Sequence, residues 1–149
     1  MDRAQADILV GDLAQHMGIP ALALDENGMC IVTLGEREGG AIVSLGFNAD
    51  AGSIDLMTCL ADVDPTFERI VEALAANLGR AGGSVLAAEP STGAFVLQRR
   101  CSGPDLGDGG LPGALLAFVE EAKAWTHWLA SIGTAQTEAV PARAQGLSA

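Results

Sequence analysis

The apolar residues of this chain change their spacing at one sharply marked point. Up to Met17 they recur as Ala6, Leu9, Val10, Leu13 and Met17, at intervals of three and four that line one face of a helix. Gly18 and Pro20 then stop that helix, since glycine tolerates the left-handed conformation and proline cannot continue the ladder. From Ala21 to Cys59 the interval falls to two, in runs ALAL, MCIVTL, AIVSLGF and SIDLMTC separated by the turn segments DENG, GEREGG and NADAG. The chain therefore opens with a helix, Ala4–Met17, capped by Asp2 and Gln5, and continues as three or four antiparallel strands.

Val43, Leu45 and Phe47 share one strand face, and Ile54 and Leu56 another, with Ser44 and Asp55 opposite, so one face of the sheet is predicted buried and the other partly wet. Asp64 and Pro65 read as the start of a second helix carrying Phe67, Ile70, Val71, Leu74 and Leu78 up to Gly79. SVLAAE and AFVLQRRC, joined by PSTG, form a second hairpin. After the glycine-rich segment Ser102–Gly110, Leu111, Leu115, Phe118, Ala122, Trp125 and Leu129 place a long helix over Pro112–Ile132. The expected fold is α+β: an antiparallel twisted sheet flanked by three helices, in the order α-β-β-β(-β)-α-β-β-α. One domain is expected over 1–132, with 133–149, which has no periodicity, as a disordered tail.

The length suits a single core. With 19 acidic residues against 8 basic ones the net charge is -11, which disfavours nucleic acid and anionic membranes and favours neutral or basic partners. The first residues lack the apolar run of a secretory signal, and no stretch has the length of a membrane span. Three cysteines, Cys30, Cys59 and Cys101, without a CxxC pair fit neither a disulfide framework nor a zinc site, and read as small buried hydrophobes in a reducing compartment.

Catalytic patterns are missing. GEREGGA and SGPDLGDGG lack the GK[ST] ending of a P-loop and the GxGxxG of a dinucleotide site. His16 and His127 lie on different helices with no HExxH, and no GxSxG elbow occurs. Asp25 with Glu26 occupies a turn, and Glu120 with Glu121 the polar side of a helix, where solvated surface is the ordinary reading. Arg99 and Arg100 point to opposite faces of the last strand, where at least one can reach a carboxylate. An enzyme or small-ligand domain whose site is assembled from scattered polar residues remains the alternative.

The order of elements, together with local sequence, resembles the class I type III secretion chaperones, the Tir chaperone (CesT) family. LAQHMGIPALALDENGMCIVTL (Leu13–Leu34) is similar to the family's opening, a helix ending in glycine before an L-x-L-D-x-x-G turn, here Leu22, Leu24, Asp25 and Gly28. GGSVLAAEPSTGAFVLQRRC (Gly82–Cys101) resembles its second hairpin, and ALLAFVEEAKAWTHWL (Ala114–Leu129) its last helix. The resemblance runs from Ala4 to Ile132; the tail, the glycine-rich loop and the low aromatic content depart from it. It implies a homodimer in the bacterial cytoplasm that uses no ATP or other cofactor. Such a dimer binds the extended N-terminal segment of one or a few effectors, keeps them export-competent and delivers them to the secretion machinery, with the secretion-system ATPase as a further partner. On the first helix and adjoining strands it implies effector binding by Leu9, Leu13, Met17, Ile19, Leu22, Leu24, Cys30, Val32 and Leu34, although such stripes more often form plain core. It assigns the dimer interface to Ile70, Val71, Leu74, Leu78 and Val85, some of which must also face their own core.

Overall fold

The computed structural model describes residues 1–35, 40–78 and 83–133. Helix α1 (Arg3–Met17) starts at a capping box, with the Asp2 carboxylate accepting from the Gln5 amide at 2.8 Å and the Gln5 side chain accepting from the Asp2 amide at 2.9 Å. It ends on Gly18 in the left-handed conformation. Strands β1 (Met29–Leu34), β2 (Ala41–Asn48) and β3 (Ser53–Cys59) form an antiparallel meander. Helix α2 (Phe67–Leu78) follows, then β4 (Ser84–Ala88) and β5 (Phe95–Cys101), a short 3-10 turn at Gly103–Leu106, and helix α3 (Gly110–Ser131).

All five strands make one antiparallel sheet in the order β1-β2-β3-β5-β4, so the second hairpin inserts β5 against β3 and leaves β1 and β4 at the two edges. The core lies on one face, where Val43, Leu45, Ile54, Leu56, Leu86 and Leu97 meet Val10 and Leu13 of α1 and Leu111, Leu115, Phe118 and Leu129 of α3. The expected α+β class and the three helices are found.

Three local expectations are corrected. ALAL (21–24) is no strand: Ala21 takes a positive φ of 61°, and the Leu24 and Asp25 carbonyls accept from the Arg3 guanidinium at 3.2 and 2.8 Å instead of joining a ladder. Leu22 half-buried and Leu24 buried mimic a strand's alternation without being one. Helix α2 is capped by Thr66, whose hydroxyl accepts from the Arg69 amide at 3.3 Å, and not by Asp64. Glu121 is not solvated surface: its carboxylate accepts from Ser84 Oγ at 2.6 Å and from the Trp125 indole at 3.4 Å, tying α3 to β4. The middle of the GEREGG turn, the Gly79 stop and the tail from 134 onward lie outside the described residues.

Candidate functional site

Strand β1 is an outer strand with part of its backbone unpaired. The Phe47 amide donates to the Gly28 carbonyl at 2.8 Å, which with the antiparallel register points the N–H and C=O of Cys30, Val32 and Leu34 toward β2. Those of Met29, Ile31 and Thr33 point away. The turn before the strand satisfies Met29, whose amide donates to Asp25 Oδ1 at 2.9 Å and whose carbonyl accepts from the Asp25 amide at 2.8 Å. Gly28, at φ 78°, makes this turn possible. Ile31 and Thr33 gain no such partner among the described residues. Two consecutive outward positions are thus available to another strand.

Apolar surface accompanies that edge. Ile31 is 65% exposed and Ile42 of β2 is 60% exposed, both on the face of the sheet away from the core. Of the nine residues suggested for effector contact, Leu9, Met17, Ile19, Leu22, Cys30 and Leu34 are half-buried against the core and keep accessible surface. Leu13, Leu24 and Val32 are 0, 8 and 2% exposed, and their surface is spent on the core. The periodicity that marked them cannot separate a stripe's centre from its rim.

Helix α2 has the opposite arrangement to an ordinary amphipathic helix. It turns small or polar residues, Ala73, Ala76 and Asn77, toward its own sheet, with Ile70 half-buried beside them. Phe67, Val71, Leu74 and Leu78 lie within roughly 60° of its circumference, and face solvent at 83, 45, 57 and 91% exposure. Val85 on β4 is exposed too. Of the residues suggested for a dimer interface, only Ile70 is partly committed to the core.

An open groove of about 1240 Å³, with no counterpart in the sequence reading, runs between α3 and the ends of β2 and β3. Ile42, Met57, Leu60, Val96, Leu116 and Val119 give it an apolar lining, with Asp62, Glu120, Lys123 and His127 at polar positions. Its residues come from five separate segments, so no local pattern announces it.

The electrostatics are one-sided. Every described lysine and arginine side chain is engaged by the chain itself: Arg3 with Asp7 at 3.0 Å, Arg69 with the Asp64 and Ala130 carbonyls at 3.1 and 3.3 Å, Arg99 with Glu121 at 4.0 Å, Arg100 with Asp55 at 3.1 Å, and Lys123 with Glu120 at 2.6 Å. Asp12, Glu26, Asp50, Asp62, Glu68, Glu72 and Asp108 form no ion pair among the described residues. The surface left for partners is therefore acidic. Burial alone would raise the Asp55 pKa, but hydrogen bonds from Arg100 and Asn48, the Arg100 charge and Ser53 outweigh it and hold the carboxyl below its usual value. Among the described residues no group of three His, Cys, Asp or Glu is placed to hold a metal, and no helix is long and apolar enough to cross a membrane.

Residues 9–126 match the family described as Tir chaperone protein (CesT). The chain belongs to the Tir chaperone protein (CesT) family. It is accordingly a type III secretion chaperone, a member of a polypeptide-binding family and not of an enzyme family. A search of curated proteins by sequence gives no match. Among solved structures, the chain is similar to one in the ExsC–ExsE complex, with a TM-score of 0.67, 20% identity, and coverage of 87% of this chain and 97% of that one. A second is in the HopA1–SchA chaperone–effector complex, at 0.65 and 16%, covering 84% of this chain and 95% of that one. A third is in the complex of the Yersinia pestis type III secretion chaperone SycH with a stable fragment of YscM2, at 0.63 and 17%, covering 80% and 98%. At these identities the likeness is one of fold, and the CesT-type sheet with its three helices is the shared feature.

Proposed function

We propose that this CesT-family chain acts in the bacterial cytoplasm as a homodimer. Each copy helps hold the extended N-terminal segment of one or a few effectors in an export-competent state, for handover to the secretion-system ATPase. The observation that carries this reading is the unpaired β1 edge at Ile31 and Thr33, bordered by exposed Ile31 and Ile42. An extended chain added there gains main-chain hydrogen bonds for affinity, and its alternate side chains reach apolar surface on either face. Leu9, Met17, Ile19, Leu22, Cys30 and Leu34 supply the partly accessible positions of the core side. The same mode of action accords with the complexes in which the similar chains were solved, one a chaperone with its effector.

The second copy is supported by α2. Phe67, Val71, Leu74 and Leu78 on the helix, with Val85 on β4, make too large an exposed apolar surface to be left in water. Covering them yields on the order of 5–10 kcal/mol before the cost of association is subtracted. Purification from the native organism should recover a bound secreted polypeptide whose N-terminal segment is shielded from protease, and light scattering should give twice the chain mass. A stable monomer at micromolar concentration with no protected polypeptide would sink the proposal.

A further inference from the structure

The two edges of the sheet are not equivalent. Just past the end of β4 the Glu89 amide donates to the Ala94 carbonyl at 2.8 Å, so with the register Ala87↔Val96 and Val85↔Gln98 the odd residues of the strand face β5. Ser84, Leu86 and Ala88 then turn their backbone N–H and C=O outward. At the middle of these three positions a side chain takes the place of a neighbouring strand: the Leu86 amide donates to Asn77 Oδ1 at 3.0 Å, and Asn77 Nδ2 donates to the Leu86 carbonyl at 2.7 Å. A carboxamide presents one acceptor and one donor side by side, as a peptide group does, which is why it can cap both groups of one residue.

We infer that Asn77 is the residue that denies the β4 edge to an added strand, leaving β1 as the edge where an extended polypeptide can pair; this rests on the strand-addition reading above. On β4 the remaining outward positions, Ser84 and Ala88, are separated by the occupied one, so no two consecutive ladder positions are available. On β1, Ile31 and Thr33 are consecutive and unoccupied among the described residues. Asn77 is thus a positioning residue for cargo. It does so from the side of α2 that faces the sheet, whereas Phe67, Leu74 and Leu78 sit on the other, so edge closure and any pairing through the exposed stripe are separable.

The test uses the full chain and no effector. Amide hydrogen exchange and sedimentation velocity are compared for the unaltered protein, Asn77→Ala, and Ala73→Gly, which loosens α2 while keeping the carboxamide. In dilute solution Asn77→Ala should speed exchange at Leu86 about tenfold, the loss of one backbone hydrogen bond's worth of protection, with β5 amides unchanged. At higher concentration it should form species larger than the unaltered protein does, with new protection over 84–88. If Asn77→Ala does not fold, Asn77→Asp is read in its place, since one carboxylate oxygen must then oppose the Leu86 carbonyl and the same changes should appear. Unchanged exchange at Leu86 and unchanged size would overturn the inference, as would equal enlargement of Ala73→Gly. Failure here leaves the chaperone reading intact, because that reading is judged by the recovered polypeptide.

Discussion

At the scale of single residues, the polar contacts that matter most join segments far apart in sequence. Asp55 sits on β3 with Arg100, Asn48 and Ser53 around its carboxylate. Because its folded pKa is depressed below the ordinary 3.8, the stability it contributes is present above that value and is lost as pH falls through the lower folded value. Asp55→Asn should therefore cost about 1 kcal/mol at neutral pH and flatten the acid limb of the stability curve below pH 3.8, read by urea denaturation at several pH values. That Arg99 or Arg100 would find a carboxylate was legible from strand alternation; both do, and which carboxylate was not, since Asp55 and Glu121 come from other elements. The cysteines divide in the same way. Cys101 is buried and Cys59 exposed, and desolvation raises the thiol pKa of both Cys30 and Cys101. Alkylation at neutral pH should label Cys59 first and Cys101 last, by peptide mass mapping; equal rates would contradict the burial.

At the scale of elements, β1 and α2 offer separate surfaces that substitution can address one at a time. Among the described residues Thr33 uses neither outward backbone group, so Thr33→Pro on this edge strand should shift the denaturation midpoint little. It should nevertheless weaken capture of an extended effector segment by at least about tenfold, as the added strand loses a hydrogen bond and meets the ring. On α2, Leu74→Glu should leave far-UV circular dichroism intact and convert the proposed dimer to monomer in sedimentation runs. Retained dimer would move the interface elsewhere. Elements with a strict period were legible: β1 and β3 begin and end where the residues change, and α3 differs from its expected span only at the ends. ALAL misled because a loop crossing a core buries alternate leucines too, and the loop's carbonyls are claimed by Arg3, a residue one helix away.

For the whole molecule, the net charge of -11 and the engagement of every described lysine and arginine side chain set the character of any partner. Effector segments with basic residues flanking an apolar extended stretch should bind faster, and raising salt from low to physiological ionic strength should slow their association while leaving dissociation much less affected, as stopped-flow measurements can resolve. The overall order of helices and strands was visible in the sequence, whereas the sheet order β1-β2-β3-β5-β4 was not, because the choice of edges depends on where the second hairpin inserts. The same holds for the groove beside α3. Helix α2 shows what that insertion entails: it is fastened to the sheet by two alanines, one carboxamide and the half-buried Ile70, with Phe67, Val71, Leu74 and Leu78 turned outward. Its order is therefore on loan from whatever covers it, and in an isolated copy it should be the first segment to come loose in mild urea while the sheet still stands.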